Sequence, residues 1–299
     1  MTLPIIQNAI QLPYPVDMNA PAMKISVITP VYNAQTMIRD CMESVASQGY
    51  QNKEHIIVDG LSSDNTVTVV NSYKRGVVKL VSEKDDGIYD AFNKGIDLAN
   101  GDVVCFLSAD DMFAHENVLQ SIADAFQIHV QTDMIYGDII YVERNDLSKV
   151  VRYWKSSTFK SGLFKKGWMA PNTSLFIRKE VFKKYGAFNL KLKMASDYEL
   201  QFRFFEKHKL KSLYLPGIIV RMRTGGVSNS NWKSIYKSVR ECHDALVYQN
   251  VRFPLIYILN ILFYRLKQIK IPPDVKKLNH EQANLFSQKL EHLCSSPNP

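Results

Sequence analysis

The chain has 299 residues, 46% of them hydrophobic, and carries a formal net charge of +8 at pH 7. This length suits one α/β domain with an extension, and the hydrophobic share can fill its core. No run is apolar for long enough to cross a membrane, and residues 1–22 lack the pattern of a signal peptide. Four cysteines lie far apart and form no C-x-x-C pair, which predicts reduced thiols and a cytoplasmic protein. They are Cys41, Cys105, Cys242 and Cys294.

Three strand–helix units follow this leader. The predicted strands are 24–28, 55–58 and 77–81, and the helices after them lie near 35–47, 66–73 and 88–99. Such alternation is typical of βαβ units and a parallel sheet. Each strand runs into a polar cluster, and we expect these clusters to meet because parallel strands end on the same edge. In the second cluster Asp59 lies directly at the strand end, whereas residues 62–66 fit helix N-capping equally well.

The fourth predicted strand begins at Val103 and ends in two adjacent carboxylates, Asp110 and Asp111. Its hydrophobicity indicates burial on both faces. Ligands of open α/β sheets bind beyond the carboxyl ends of the strands, so the pair is suited to a divalent cation there. The alternative is that one carboxylate caps the next helix, predicted over 115–128, although two exceed what a cap needs.

Several motifs of other enzyme classes are missing. No G-x-G-x-x-G follows the first strand, and neither a P-loop nor H-E-x-x-H occurs. Nicotinamide-dependent, ATP-hydrolysing and zinc-dependent functions therefore lose their main support. Without a glycine cradle, bound phosphates need another source of positive charge, and Mg²⁺ or Mn²⁺ on Asp110 and Asp111 would supply it.

One lone carboxylate stands well away from the acid pair. Asp197 has the isolation that a general base for an acceptor hydroxyl requires. The alternative is structural, because Ser196 and Glu199 around it fit a capping box at a helix start. We expect Glu199 and Arg203, four residues apart, to pair on the surface of that helix.

A basic segment near residue 223 is a further candidate. Arg221 and Arg223 precede Gly225 and Gly226, which suits a mobile loop that closes over a diphosphate. The alternative is that these residues form a solvated basic turn without a ligand.

A series of motifs, taken in order, resembles the signature of family 2 glycosyltransferases with the GT-A fold. The motifs are residues 29–33, 59–66, 86–95, 108–111, 167–176, 195–200 and 225–228, and the match extends from residue 23 to residue 230. The chain resembles in particular the bacterial enzymes that build colanic acid, capsule and O-antigen. The resemblance implies an α/β GT-A fold with a mostly parallel central sheet. It also implies inverting transfer of one sugar from a nucleotide-diphosphate sugar to an acceptor hydroxyl.

The resemblance implies roles for individual residues. Asp111 would bind Mn²⁺ or Mg²⁺ directly, with Asp110 on the ribose or a metal-bound water, and Asp197 would be the catalytic base. The implied nucleotide-sugar ligands are Thr29, Pro30, Tyr32, Asp59, Asp86, Asn93 and Asp110. Arg223, from the basic segment described above, is a further predicted ligand, on the diphosphate. Two positions depart from the family pattern, since Gly60 replaces a frequent acidic residue and Asn172 replaces a frequent histidine.

The C-terminal part has a different character. Helices are predicted over 232–250 and 254–269, with a polar tail from residue 279. The second helix is apolar nearly all round and too short to span a bilayer. Basic residues follow its aromatic end, and this combination is typical of a helix lying in an anionic membrane interface. They are Arg265, Lys267, Lys270, Lys276 and Lys277. Packing on the catalytic domain or across a homodimer interface are the alternatives.

We therefore predict an N-terminal extension, residues 1–22, a catalytic domain, residues 23–230, and a C-terminal helical region, residues 231–299. The catalytic domain would divide into a nucleotide half, 23–130, and an acceptor half, 131–230. A UDP- or GDP-sugar is the expected donor.

A polyprenyl-diphosphate-linked saccharide as acceptor would explain a peripheral position on the inner face of the cytoplasmic membrane. Three rival functions are a nucleotide-sugar-binding protein without activity, a basic module for membranes or nucleic acid, and a polymerising synthase. The absence of a Q-x-x-R-W motif and of membrane-spanning runs favours addition of a single sugar over polymerisation. No nucleic-acid-binding motif accompanies the basic residues, so no nucleic-acid partner is expected.

Overall fold

A mixed β-sheet organises the part of the chain that the computed structural model describes, which is residues 23–76, 78–225 and 232–267. Within those ranges the sheet has nine strands. They are β1 Ile25–Val31, β2 Lys53–Asp59, β3 Val78–Ser82, β4 Val103–Phe106, β5 Met112–Phe113, β6 Met134–Val142, β7 Val150–Trp154, β8 Phe176–Arg178 and β9 Ser212–Arg223. Their order is β3-β2-β1-β4-β8-β6-β9-β5, and β7 pairs with β6.

Eight α-helices accompany the sheet in the same ranges. They are α1 Ile38–Ala46, α2 Thr66–Ser72, α3 Ile88–Leu98, α4 Val118–Ile128, α5 Lys179–Tyr185, α6 Ser196–Phe202, α7 Trp232–Tyr248 and α8 Pro254–Lys267. Helix α6 continues into a π-helical turn, and two 3₁₀ turns, Phe164–Lys166 and Asn172–Ser174, lie before β8. The α/β class and the first three strand–helix units are as predicted.

The first four strands form the parallel half of the sheet. Strand β1 pairs in parallel with β2 and β4, and β2 pairs in parallel with β3. All seven residues of β1 are buried, as expected for a strand that helices cover on both faces. The carboxyl ends of β1, β2 and β4 therefore lie on one edge.

The segment after β4 departs from the prediction. Instead of a helix from residue 115, Met112 and Phe113 form β5, and α4 begins only at Val118. The residue before α4 is Asn117, and its side chain makes no capping hydrogen bond. The interpretation of Asp110 or Asp111 as a helix cap is therefore wrong, because a strand separates the acid pair from the helix.

The second half of the sheet is built around β6, whose nine residues are all buried. Strand β9 runs parallel to it, whereas β7 and β8 pair with it in antiparallel fashion. Strand β5 pairs antiparallel with β9, with Met112 opposite Arg221. This pairing brings the end of β9 to the residues that follow β4.

The apolar residues separate into two main layers on opposite sides of the sheet. One layer contains residues of α1, α2 and α4, including Ile38, Val70 and Leu119. The other contains residues of α3, α6, α7 and α8 and is rich in aromatic rings, including Phe92 and Tyr198. The C-terminal helices thus belong to the same apolar layer as α3 and α6.

Helix α8 packs against the turn Phe164–Lys166 with its backbone very close to Gly167. A Cβ atom at Gly167 would lie 2.3 Å from the backbone oxygen of Asn260, and Gly167 has a φ of +82°. Ile258 and Ile261 of α8 are buried, so one side of this helix packs on the part of the chain that contains the sheet. No helix within the described ranges is long and apolar enough to span a membrane.

Several predictions concern positions outside the described residues. These are the leader 1–22, the loop positions 226–228, Cys294, the lysines Lys270, Lys276 and Lys277, the end of the second C-terminal helix beyond Lys267, and the polar tail. For residues 262–267, which include Arg265 and Lys267, only the helical backbone is described. The other three cysteines are buried thiols.

Candidate active site

The acid pair lies just beyond β4 at the carboxyl edge of the parallel strands. Asp111 is 1% exposed, whereas Asp110 is half-buried. Oδ1 of Asp111 accepts a hydrogen bond from the backbone N–H of Arg223 at 3.3 Å, and Oδ2 has no partner among the described residues. Burial, together with the charge of Asp110, raises the pKa of Asp111 well above its usual value, because loss of water destabilises the anion.

This arrangement fits a divalent cation. A buried carboxylate oxygen without a donor is stabilised when a cation binds it. The described residues contain no cluster of three or more His, Cys, Asp and Glu side chains placed for a metal. Mg²⁺ usually takes one or two carboxylates and completes its shell with substrate phosphates and water. Asp111, with Asp110 beside it, is a donor set of that size.

Arg223 lies against the acid pair at the end of β9 and is 5% exposed. Its Nη1 donates to the backbone oxygen of Asp110 at 2.9 Å, and its Nη2 donates to the carboxylate of Asp40 in α1. The alternative of a solvated basic turn is therefore wrong for this residue. The guanidinium is a buried cation next to two acidic side chains.

Asp59 lies at the end of β2 and is fully buried. Its carboxylate accepts from the hydroxyl of Ser82 at 2.6 Å and from both the backbone N–H and the hydroxyl of Ser62. Asp59 therefore braces the loops after β2 and β3 at the same edge. In the same loop the carboxylate of Asp64 accepts from the backbone N–H of Thr66 at 2.9 Å, whereas Asn65, the N-cap residue of α2, makes no side-chain capping hydrogen bond.

The segment after β1 offers an exposed aromatic side chain. Tyr32 is 65% exposed at the carboxyl edge, whereas Pro30 is buried. Thr29 points into the interior, where its hydroxyl lies 2.9 Å from Nε2 of His55. The prediction that Thr29 contacts the nucleotide is therefore restricted to its backbone, because the side chain is fully buried.

The two predicted nucleotide ligands near α3, Asp86 and Asn93, have different surroundings. Asp86 is exposed at the carboxyl edge. Asn93, predicted to face the nucleotide, instead donates to the backbone oxygen of Phe188 and accepts from its N–H, both at 2.9 Å. The prediction that the Asn93 side chain faces the nucleotide is therefore wrong, because both ends of its amide bond to the segment that leads to α6.

Asp197 lies in the first turn of α6, on the side of the sheet that carries α3. Its Oδ1 accepts from the hydroxyl of Tyr89 at 2.9 Å and from the backbone N–H of Tyr198 at 2.8 Å. The alternative capping box does not form. Ser196 Oγ has no partner among the described residues, and Glu199 bonds to other side chains.

The expected surface pair of Glu199 and Arg203 is buried instead. The two side chains are 2% and 12% exposed, with Arg203 Nε 2.9 Å from Oε1 of Glu199. Gln249, just after α7, also donates to Glu199, and Arg203 donates to the backbone oxygen of Ala187 at 2.7 Å. The prediction of a surface pair was wrong because α7 covers this face of α6.

Two residues were not singled out from the sequence. Tyr89 bonds to Asp197 although 108 positions separate them, and no local pattern predicts such a contact. Thr173, which follows Asn172, has a buried hydroxyl without a partner in the described structure, and Oδ1 of Asn172 is buried and unpartnered there as well. The predicted nucleotide ligands thus gather at the carboxyl edge, apart from Thr29 and Asn93.

Comparison with known proteins identifies the family. The model described as "Glycosyl transferase family 2" matches residues 26–186, more than half of the chain. The chain therefore belongs to glycosyltransferase family 2. The PGL/p-HBAD biosynthesis glycosyltransferase of Mycobacterium bovis is 29% identical over 209 residues, which cover 69% of this chain and 79% of that relative.

Two solved structures share the fold. The crystal structure of S. aureus TarS 1-349 in complex with UDP-GlcNAc has a TM-score of 0.58 at 19% identity, and the match covers 75% of this chain and 66% of that chain. Mannosyltransferase PcManGT from Pyrobaculum calidifontis, in complex with GDP-Man and Mn2+, has a TM-score of 0.55 at 15% identity, with 92% and 84% covered. The predicted GT-A fold is confirmed.

Proposed function

We propose that this protein is an inverting glycosyltransferase that moves a sugar from a nucleotide-diphosphate sugar to an acceptor hydroxyl. The observation that carries the proposal is the contrast between two carboxylate sites. Asp111 is buried with an oxygen that lacks a donor, whereas Asp197 is oriented by donors from two residues. Family membership and the nucleotide sugars bound to both structural neighbours support the same reaction.

The carboxyl edge is the proposed donor site. Asp111 and Asp110 would hold Mn²⁺ or Mg²⁺, which would neutralise charge on the diphosphate when bound. Tyr32 and Asp86 are exposed there and would contact the nucleotide. Asp59 and Pro30 would shape the loops that bind it. Thr29 would contact it through its backbone. Arg223 supplies a buried positive charge next to the acid pair. A UDP- or GDP-sugar is the proposed donor.

Asp197 is the proposed catalytic base. The acceptor oxygen attacks the anomeric carbon on the face opposite the leaving nucleoside diphosphate, and its proton passes to the Asp197 carboxylate. The new C–O bond forms as the bond from the anomeric carbon to the phosphate oxygen breaks, so the anomeric configuration inverts. The unpartnered buried oxygens of Asn172 and Thr173 are proposed contacts for acceptor hydroxyls.

The proposed acceptor is a saccharide on a polyprenyl diphosphate, in a bacterial surface polysaccharide pathway. One face of α8 supports a membrane location, because Leu255 and Leu259 are 66% and 57% exposed. The exposed Lys165 and Lys166 lie in the turn against which α8 packs. Apolar side chains beside lysines suit an anionic membrane interface. The inner face of the cytoplasmic membrane is therefore the proposed location, with a homodimer across α8 as the alternative.

The described residues of the C-terminal region, from 232 to 267, are proposed to complete the acceptor half rather than to act independently. They share the apolar layer of α3 and α6. The division of the catalytic domain at about residue 130 remains a prediction.

A donor screen tests the function. UDP- and GDP-sugars are incubated with the full chain, with and without Mn²⁺, and nucleotide release is measured together with the anomeric configuration of the product. Asp197→Asn is expected to keep donor affinity and to lose about a hundredfold or more of transfer, since general-base loss costs that much. Transfer unchanged in folded Asp197→Asn, or a product with retained configuration, would contradict the proposal.

A further inference from the structure

A hydrogen bond links the helix that follows the turn of the donor site to the proposed base. The hydroxyl of Tyr89 donates to Oδ1 of Asp197 at 2.9 Å. Tyr89 is the second residue of α3 and follows Asp86 by three positions, whereas Asp197 lies in the first turn of α6. The side chain of Tyr89 is nearly buried, at 9% exposure. Water therefore competes little for this bond.

The ring of Tyr89 is held in place by its neighbours. It stacks on Phe188 with ring centroids 5.4 Å apart. The backbone of Phe188 is in turn held at both its N–H and its oxygen by the Asn93 amide. A third link joins the same two segments, because Nζ of Lys193 donates to the backbone oxygen of Asp86 at 2.9 Å. Three contacts thus connect α3 and the turn before it with the segment before α6.

The phenol is a permanent donor in this setting. Burial, with the charge of Asp197 adding, raises the pKa of Tyr89 well above its usual value, because a phenolate would be both desolvated and repelled. The proton therefore stays on Tyr89, and the carboxylate of Asp197 is the acceptor. A hydrogen bond to a carboxylate favours its anionic form and restricts its rotation.

We propose that Tyr89 is a positioning residue, which orients the Asp197 carboxylate toward the acceptor and keeps it anionic. The proposal rests on Asp197 being the catalytic base. It also gives the motif at residues 86–95 a second task beside nucleotide binding. The helix whose preceding turn faces the donor also sets the geometry of the base, so the two sites are built on one rigid element.

Other titratable groups surround this pair. Tyr198 lies beside Asp197 on α6, and its pKa is raised by burial. From α7, Cys242 faces both tyrosines, and Glu241 accepts from the backbone N–H of Met194 at 2.6 Å. Lys193 donates to the backbone oxygen of Asp86. Of these groups, Tyr89 is the side chain that donates to Asp197 in the described contacts, so its removal is expected to act on Asp197 directly.

The test is Tyr89→Phe, which keeps the ring and its stacking on Phe188. We expect kcat to fall by roughly tenfold, as for loss of a hydrogen bond to a charged group, with KM for the donor unchanged. Without the donor the carboxylate binds its proton more tightly. The acidic limb of the pH profile of kcat/KM should therefore move up by about one pH unit.

Tyr73→Phe is the matched control. Tyr73 also donates to a carboxylate, Glu43, at 2.8 Å, but it packs in the apolar layer on the other side of the sheet. This variant should keep the wild-type kcat and pH profile. A folded Tyr89→Phe enzyme with a wild-type profile overturns the proposal.

Asp197→Asn separates this proposal from the function itself. If Asp197→Asn keeps full transfer, the assignment of the base is wrong and the role of Tyr89 falls with it. If Asp197→Asn is inactive and Tyr89→Phe resembles the wild type, only the positioning role is wrong. Should Tyr89→Phe not fold, 3-fluorotyrosine at position 89 keeps the ring and strengthens the donor. The acidic limb should then move to lower pH, and an unchanged limb overturns the proposal.

Discussion

The backbone N–H of Arg223 donates to Oδ1 of Asp111 at 3.3 Å, across 112 positions of the sequence. The antiparallel pairing of β5 with β9 produces this contact. Met112, the residue after Asp111, lies opposite Arg221, which precedes Arg223 by two residues. The guanidinium of Arg223 then reaches the backbone of Asp110 and the carboxylate of Asp40. Residues from the segment after β4, from β9 and from α1 thus form one charged cluster at the proposed donor site.

We expect Asp111→Ala to abolish Mn²⁺-dependent nucleotide binding without unfolding the protein. The Asp111 carboxylate is buried at a cost in desolvation, so its removal should leave the melting temperature equal or higher. Calorimetric titration of UDP and GDP, with and without MnCl₂, measures the effect. Asp124→Ala, at a half-buried carboxylate on α4, is the control. Wild-type nucleotide affinity in Asp111→Ala with manganese present would refute the metal assignment.

The exposed face of α8 predicts salt-dependent binding to anionic vesicles. Leu255→Glu with Leu259→Glu should abolish co-sedimentation of the full chain with phosphatidylglycerol vesicles. Lys165→Glu with Lys166→Glu should weaken it by more than tenfold, since each lysine near the surface contributes about 1 kcal/mol. Binding of the wild type should fall as salt rises.

Val130→Glu is the control for the vesicle experiment, because Val130 is an apolar side chain 69% exposed after α4. Wild-type protein that ignores anionic vesicles at low salt would contradict the membrane proposal. A shift from dimer to monomer in the leucine variants, measured by light scattering, would instead assign the α8 face to a homodimer.

A pair of glycine substitutions tests the docking of α8. Gly167 and Gly162 both have positive φ, +82° and +89°, but a Cβ at Gly162 meets nothing within 4 Å. Gly162→Ala should cost about 1–2 kcal/mol for the left-handed backbone alone. Gly167→Ala adds a clash with the backbone of Asn260, and we expect a further loss of about 2 kcal/mol or more. Equal losses in urea unfolding would show that α8 does not pack closely on Gly167.

His55 predicts loss of stability in mild acid. Burial lowers the pKa of His55 to about 3, so the folded protein binds fewer protons than the unfolded chain as pH falls below about 6.5. This group should therefore lower the free energy of unfolding by about 2 kcal/mol between pH 7 and pH 5. His55→Gln should remove that part of the loss, and the half-exposed His243→Gln should not. An unchanged pH dependence in His55→Gln would contradict a neutral buried imidazole.

Local sequence patterns determined the first half of the fold. The strands β1, β2 and β4 are apolar because helices cover both faces of a parallel sheet, and this burial is visible as short hydrophobic runs. The same patterns placed Asp59, Asp86, Asp110 and Asp111 at strand ends or in the turns that follow them. Because parallel strands share a carboxyl edge, the edge where these side chains gather was predictable.

The tertiary structure alone decided how the site residues are partnered. Asp197 meets Tyr89 across 108 positions, and Asn93 meets Phe188 across 95. Neither contact leaves a periodic or capping signal, since one depends on where α6 begins relative to α3 and the other on the path of the segment before α6. The same holds for Glu199, which local spacing places on the surface and α7 buries. Periodicity shows which face of a helix is apolar, but the partner of a polar group is set by segments far away in the chain.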